Sequence, residues 1–594
     1  MEKIPQAADN KQGKNQRSGN EARRVRWTKK LIEIIILFVS GMLVSATIPP
    51  LNWSAAAWIL LIPLFLICAE KNFRQAATGG FIWGLGWAFT GFYWLREIEP
   101  VIPFLIAPIL ALFPTLWACL VPVLRRAILV PDKVRLEGYS AENQFLQKSV
   151  VKNFFFAAVL AGWWCVTEWL RSRLLPWNYL AVSQWQNVSL LQICSFTGTY
   201  GVSFLIVLTN ITLGIAFKDR VKGIKQQTKF PLAFPFFISL FLIMLVVSIG
   251  AFSYRQSREG RAMLEFKAAL VQGNISQRRV ATREEALEAM NVYLELSYLV
   301  AARKPAPDII IWPETATPFP YRGDSLLCMD YQRRLYNLIQ STGKPMVIGS
   351  IDFEDLPPDS KLYPGMTNSA LLLNNKGRMD SKYDKIHRVP FGEYVPFRKY
   401  LPQWIVKRID MNRDLVGGKD FSPLNILPGV KAGISICFED IFEYISRREA
   451  LEGANLLLVI TNDAWYPTSS EPDQHLANCV FRTIETGLPM IRCGNNSASC
   501  LIEPNGVISD CLFKKEVDGK SRPAPEVRAR RAGIINVQVP LKPRLTFYAR
   551  YGNIFIGFCW LLVLSGLVIV VFKWRNRKQI LAAKFKKTRT DTEN

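Results

Sequence analysis

A chain of 594 residues, half of them hydrophobic and including 17 Trp and 36 Phe, exceeds a single domain and is too apolar for a purely soluble protein. Its net charge of +25 sits beside long apolar runs, which points to anionic lipid headgroups rather than nucleic acid. Two histidines and no C-x-x-C pair argue against a dedicated His-based zinc site; no metal is expected, and no cofactor is expected either.

In chain order, a basic tail (1–30) with nine Lys or Arg comes first. Apolar stretches follow near 31–49, 53–69, 77–95, 101–122, 153–170, 196–217 and 231–250, and an eighth stands alone at 553–572. Most reach the roughly 20 residues a helix needs to cross about 30 Å of hydrocarbon. The second is short and the fourth carries several prolines, which neighbouring helices in a bundle tolerate. The sixth is longer than one span, so its first turns are expected along the interface or as a re-entrant piece. With eight spans, the basic segments "RRVRWTKK", "EKNFR", "RRAILVPDKVR", "KDRVKGIKQQTK" and "KWRNRKQILAAKFKKTR" all fall on one side. The charge bias makes that side cytoplasmic and places residues 252–551 outside.

The outer block has another texture. Short β-branched runs ("EFKAALVQGN", "DIIIWPE", "KPMVIGS", "SALLLN", "KAGISIC", "ANLLLVITND") alternate with segments apolar on one helical face, such as "TREEALEAMNVYLELSYLVAARK". Buried strands with covered faces read this way, giving a layered α/β domain. The expected organisation is a basic tail 1–30, a seven-helix membrane domain 31–251, an α/β domain 252–551, a last membrane helix 552–572 and a basic tail 573–594.

In α/β sheets, ligands collect beyond the carboxyl ends of strands. "DIIIWPETATPFP" ends its apolar run in Glu314, "SKYDKIHRVPFGEYVPF" presents Lys385 and Glu393, and "KAGISICFED" ends in Cys437, with Glu439 just beyond. Two readings of Cys437 compete. Composition favours a core cysteine at the end of a strand, since free cysteine is among the most buried residue types. The company of a carboxylate and a cation favours a nucleophile, because sulfur can attack a carbonyl if a base takes its proton and a cation faces the oxyanion. A nearby ammonium is expected to lower the thiol pKa. A Cys–His arrangement would have to use His387 or His475. Six cysteines (Cys328, Cys437, Cys479, Cys493, Cys500, Cys511) lie in the outer block, and the sequence leaves their pairing open.

"WPET", "YDKIHRVPFGEYVP", "GISICFED" and "TNDAWY…QHLANCVFRTIETGLP" resemble the nitrilase superfamily. Together with the spans and "TEWLRSRLLPWNYLAVSQWQN" (167–187), they resemble the apolipoprotein N-acyltransferase family of bacterial inner membranes. The resemblance implies an α-helical membrane bundle of about eight transmembrane helices with an inserted nitrilase-like α/β domain, layered α-β-β-α. It implies Glu314, Lys385 and Cys437 as catalytic residues, with Glu393, Phe438 and Glu439 supporting. It implies a donor of phosphatidylethanolamine or a related phospholipid and an acceptor apolipoprotein bearing S-diacylglyceryl-cysteine. Membrane lipids as partners, no nucleic acid, a monomer and a periplasm-facing catalytic domain in the inner membrane complete the expectation. Several positions depart from the family pattern: Phe438 stands for Tyr, "ISQ" for "IPQ" after "VQGN" with Ala281 near an expected Trp, "NDAWYPT" for "NDAWF" followed by Gly, and Ser497 for Gly. A membrane-tethered amidase or hydrolase uses the same three groups with water as acceptor, and a transporter or scaffold with an inactive outer domain is a third reading. The seven-span block weighs against the former, and the scarcity of intramembrane charge beyond Glu168 and Arg171 weighs against the latter.

Overall fold

The computed structural model describes residues 9–129, 141–226, 233–259, 262–276, 282–317, 319–355, 363–403, 414–466, 468–517, 520–524, 531–541 and 544–593. Six helices among them are long and apolar enough to cross a membrane: Arg23–Thr47, Ile102–Ile128, Val150–Ser172, Tyr200–Lys222, Phe234–Ser257 and Ile554–Gln579. Two of the eight expected stretches differ. Residues 53–69 form a 3₁₀ turn, Ser54–Trp58, and an eight-residue helix, Ile62–Ala69, begun by Pro63. The third lies in the 19-residue helix Phe73–Gly91, whose glycines and polar first turn dilute its hydrophobicity. That helix trades apolar bulk for close packing on Ile102–Ile128. A Cβ at Gly80 would lie 2.6 Å from the Ala118 Cβ, and one at Gly84 would lie 2.8 Å from the Ala111 Cα. The proline-bearing fourth stretch stays one helix despite Pro108, Pro114 and Pro122. The long sixth stretch is broken as its length suggested. Short helices Val188–Leu191 and Cys194–Thr197 end at Gly198, at φ +64°, before the long helix starts at Tyr200.

Between the membrane helices lie two six-stranded sheets. In the first, β1 (Leu264–Gln272), β2 (Ile309–Ile311), β3 (Met346–Phe353), β4 (Met366–Leu373) and β5 (Met379–Asp384) run side by side. The second holds β6 (Leu424–Leu427), β7 (Val430–Ile436), β8 (Leu456–Thr461), β9 (Met490–Gly494), β10 (Cys500–Ile502) and β11 (Ile508–Cys511). A two-stranded ribbon, β12 (Lys514–Val517) and β13 (Lys520–Pro523), follows, and β14 (Gly533–Leu541) returns antiparallel to β1. In each large sheet the three central strands are parallel: β1, β2 and β3 in one, β7, β8 and β9 in the other.

Period-two alternation sorts the side chains of these strands. Ala268, Leu270, Ile309, Ile311, Ile434, Ile436, Leu458 and Ile460 meet in the core between the sheets. Ala269, Val271, Ile310 and Ile348 face the other way, under the helices Arg283–Ala301 and Leu326–Thr342. On the opposite side, Leu457, Val459 and Met490 pack beneath Glu443–Leu451 and Glu471–Thr486. The order is helix, sheet, sheet, helix, as the family resemblance implies. This last helix layer shares one continuous apolar core with the membrane bundle.

Candidate active site

The three predicted catalytic residues each sit just past the end of a strand, and Glu393 lies in the loop after β5. Glu314 follows β2 by three residues, in a turn where Thr315 takes φ +41°. Lys385 follows β5 directly. Cys437 follows β7 and opens a 3₁₀ turn, Cys437–Ile441, with φ +54°. Such a φ costs a non-glycine residue of the order of 1–3 kcal/mol and persists only where its surroundings enforce it. A half-buried Cys437 therefore projects from a sharp strand-to-helix elbow instead of continuing the buried strand.

The three ends converge. The buried Glu314 accepts at Oε1 from the Asn368 amide (2.8 Å) and from the Lys385 ammonium (3.5 Å), and at Oε2 from the Asn462 N–H (2.9 Å). Lys385, buried as well, lies 3.0 Å from Glu393 Oε1, which also accepts from Asn368 (2.9 Å). The other Glu393 oxygen accepts from the Val389 N–H at 2.8 Å. Glu439 is fully buried and saturated. It accepts from the N–H groups of Ile386, His387 and Ile436 at 2.7–2.8 Å and from the Tyr383 hydroxyl at 3.1 Å. It thus ties the residues after Lys385 to the strand that ends in Cys437, which is a bracing role and leaves no oxygen for an incoming amine.

Charge follows from this geometry. Burial pushes the Cys437 thiol well above its ordinary value; the Glu314 carboxylate adds to the rise and Lys385 opposes it. Lys385 lowers the thiol pKa as the sequence leads one to expect, but burial first and the Glu314 carboxylate second outweigh it, so the net shift is upward. Burial pulls Lys385 down, yet the Glu393 and Glu314 carboxylates more than reverse it and hold the ammonium above its usual range. Burial also raises Glu314 against the pull of Lys385. Glu439 is pushed up to about 7 by burial, against Lys385 and its three N–H donors. The two shifts run the same way: the thiol holds its proton, and the Glu314 carboxylate within its field is more basic than an ordinary one.

Phe438 packs its ring between Trp177 (5.3 Å between centroids) and His475 (5.0 Å), with Tyr466 at 6.3 Å and Trp94 at 6.4 Å. Ser497 is fully buried, and Ala281 lies outside the described residues. Neither histidine is spent on Cys437. His387 stacks on Phe442, and His475 gives its nitrogens to Asp440 (2.7 Å) and Asp463 (3.1 Å). None of the six outer-block cysteines is paired, and Cys437 is the only one not fully buried. Asp463, Glu471 and His475 bring three ligand-type atoms within 4.8 Å of one another. The Arg492 guanidinium stands 3.1 Å from both Asp463 and His475, so a cation already fills that cluster. Asn368, Asn462 and Tyr383 were not singled out from the sequence. Asn462 lay inside the quoted "TND" at the end of an apolar strand, a signal of the kind that exposed Glu314.

Residues 40–212 match the apolipoprotein N-acyltransferase N-terminal domain, and residues 267–516 match the carbon-nitrogen hydrolase family. An apolipoprotein N-acyltransferase of Geobacter metallireducens is 31% identical over 559 residues, covering 92% of this chain and 96% of that protein. The chain belongs to the apolipoprotein N-acyltransferase family. A second member, from Allorhizobium ampelinum, is 28% identical across 81% of this chain and 87% of its own. Among solved structures, an amidase from Nesterenkonia sp. is 16% identical (TM-score 0.32, 51% of this chain, 99% of that one). Saccharomyces cerevisiae Nit3, of the nitrilase superfamily, is 15% identical (TM-score 0.32, 47% and 91%). The protein is thus a membrane enzyme of the N-acyltransferase family, and its α/β domain is the part that matches the carbon-nitrogen hydrolase family.

Proposed function

We propose that the protein moves an acyl chain from phosphatidylethanolamine, or a related phospholipid, through a thioester on Cys437 to the α-amine of an S-diacylglyceryl-cysteine lipoprotein N-terminus. The observation that carries the reading is the strained Cys437 elbow within the electrostatic reach of a buried Glu314–Lys385–Glu393 network, in a domain whose core continues into a membrane bundle.

Glu314 takes the thiol proton as sulfur bonds to the ester carbonyl carbon, and the carbonyl oxygen gains the electron pair. Lys385, with a backbone N–H at the Cys437 turn, faces that oxyanion. Collapse breaks the ester C–O bond, and Glu314 returns the proton to the departing lysophospholipid hydroxyl. In the second half the free α-amine attacks the thioester, Glu314 takes a proton from it, the C–S bond breaks, and the thiol is reformed with that proton. Glu393 holds Lys385, and Glu439 holds the two loops together. One site serves both halves, so the substrates bind in turn.

Intact-protein mass spectrometry tests this. Phosphatidylethanolamine alone should add one acyl chain to Cys437 and release lysophospholipid. A diacylglyceryl-cysteine peptide with a free α-amine should then discharge it, and an N-acetylated peptide should not. Cys437→Ser abolishes the adduct, while Glu314→Gln and Lys385→Ala slow its formation. Discharge by water as fast as by the peptide would establish a hydrolase, and no adduct on folded protein would end the assignment. Orientation has its own test. We place the α/β domain on the periplasmic side, so a cysteine at the exposed Tyr363 should be labelled from outside and one at Asp219 should not. Labelling of both would overturn it. Asp359, in the same domain, lies outside the described residues.

A further inference from the structure

Helix Glu471–Thr486 carries His475, fully buried behind the nucleophile turn and used by no step above. Its Nε2 is 2.7 Å from Asp440 Oδ1, and Asp440 belongs to the same 3₁₀ turn as Cys437. Its Nδ1 is 3.1 Å from Asp463 Oδ1. Asp463 follows Asn462, whose N–H holds Glu314 Oε2 at 2.9 Å. Thr461 Oγ1 donates to the same Asp463 oxygen at 2.8 Å, and Arg492 Nη2 reaches the other at 3.1 Å. One rigid ring therefore spans two turns: one bears the thiol, the other bears the N–H that fixes the carboxylate.

We propose that His475 is a positioning residue that holds the Cys437 turn and the Glu314-binding turn in register. An imidazolium suits the task because its two N–H donors point in opposed directions from a ring without internal torsions. Asp440, Asp463, Glu471 and Arg492 are the charged groups around it. The two aspartates receive its N–H groups, Glu471 stands 3.6 Å from Nδ1, and Arg492 opposes its charge. The ring is tilted at 61° to Phe438, so lateral drift is checked by the residue next to the nucleophile. Glutamine, with a single amide nitrogen at one end of a flexible chain, reaches only one of the two turns.

The inference rests on the proposed roles of Cys437 and Glu314, and a double-mutant cycle separates the two questions. Full-length protein in detergent is mixed with phosphatidylethanolamine, and the single-turnover appearance of acyl-Cys437 is followed by mass. His475→Gln should slow acylation about ten- to a hundredfold, the scale of a misplacement near 1 Å, with KM for the lipid within about twofold of wild type. In a Glu314→Gln background, where there is no base left to position, the same change should slow it less than about threefold further. A buried ion cluster that merely supports the fold would give the same factor in both backgrounds, and that result overturns the proposal. So would an unchanged rate in His475→Gln. If Glu314→Gln alone acylates at the wild-type rate, the base assignment falls and takes this inference with it, a result recognisable before His475 is touched. Should His475→Gln not fold, Asp440→Asn weakens the same link at the thiol end, and the cycle is run with it against the same two expectations.

Discussion

Gly349 on β3 offers a displacement of Glu314 without any change in the site's chemistry. A Cβ built there would lie 2.3 Å from the Pro313 carbonyl oxygen, 2.6 Å from the Glu314 Cα and 2.9 Å from the Glu314 nitrogen. All three are backbone atoms, so no flexible side chain can yield. Ordinary contact begins near 3.4 Å, so the Pro313–Glu314 backbone must retreat by about 1.1 Å. Glu314 is held by bonds of 2.8 Å from Asn368 and 2.9 Å from Asn462, and lengthening either by that amount carries it past 3.5 Å. Gly349→Ala should therefore cost about 1–3 kcal/mol of stability from overpacking. Cys437 acylation should slow about a hundredfold, about 2.7 kcal/mol of barrier. The assay pairs thermal unfolding with single-turnover acylation, using Gly557→Ala as control, since a Cβ at Gly557 meets nothing within 4 Å. A folded Gly349→Ala that acylates at the wild-type rate would show that the position of Glu314 does not govern the reaction.

Glu314→Gln removes the carboxylate that helps raise the Cys437 thiol, so iodoacetamide should alkylate Cys437 at lower pH than in wild type even as acylation collapses; an alkylation profile moved upward in pH would contradict the electrostatic reading. Burial lowers the His475 imidazole and Asp440 and Asp463 more than reverse it, to about 10 against an ordinary 6.5. The stability it contributes is then complete below about pH 6.5 and is lost as pH climbs through about 10, and the melting temperature should fall more steeply between pH 7 and 10 in wild type than in His475→Gln. Parallel curves for the two proteins would exclude this linkage. Phe438→Tyr should fold normally and shift turnover by about two- to tenfold, the worth of one uncharged hydrogen bond, whereas a thousandfold change would give this ring another role.

Residues at strand ends were legible because a polar group that terminates an apolar run is conspicuous in one dimension: Glu314 and Cys437 announce themselves so, whereas Lys385 follows the polar strand Met379–Asp384 and stands out only by its Pro/Gly-punctuated segment. Asn368 does not. It sits within β4, in "MTNSALLL", where a strand reading absorbs it, although its amide joins Glu314 to Glu393. The work of Glu439 is equally hidden, for its partners Ile386 and His387 lie more than fifty positions away in the chain. Nor could the sequence reveal the direction of the thiol shift. Lys385 lowers the thiol in either case, but only the fold shows that burial and the Glu314 carboxylate outweigh it. Helix lengths failed for a related reason. Hydropathy sees residues 53–69 as a span, and the turn at Ser54–Trp58 is set by backbone geometry at Asn52, at φ +53°.

The membrane block does more than anchor the enzyme. Arg171, buried near the end of its helix, donates to the carbonyls of Leu175 (3.0 Å) and Trp177 (2.6 Å), and Glu168 accepts from the Leu180 N–H at 2.8 Å. Charges are costly inside such a bundle, and here they are consumed in folding the loop that leaves it. That loop delivers Trp177 against Phe438 and sends its indole N–H to Gln474 at 3.0 Å, while the Asn178 N–H reaches Asn478 at 3.0 Å. Gln474 and Asn478 flank His475 on one helix. The same membrane loop therefore touches the residue after Cys437 and the helix that carries His475. Shifting the bundle relative to the sheets would move Phe438 and His475 together. Under the proposed acyl transfer, a chain drawn from the bilayer has to reach Cys437, and these contacts fix the bundle against the turn that carries it.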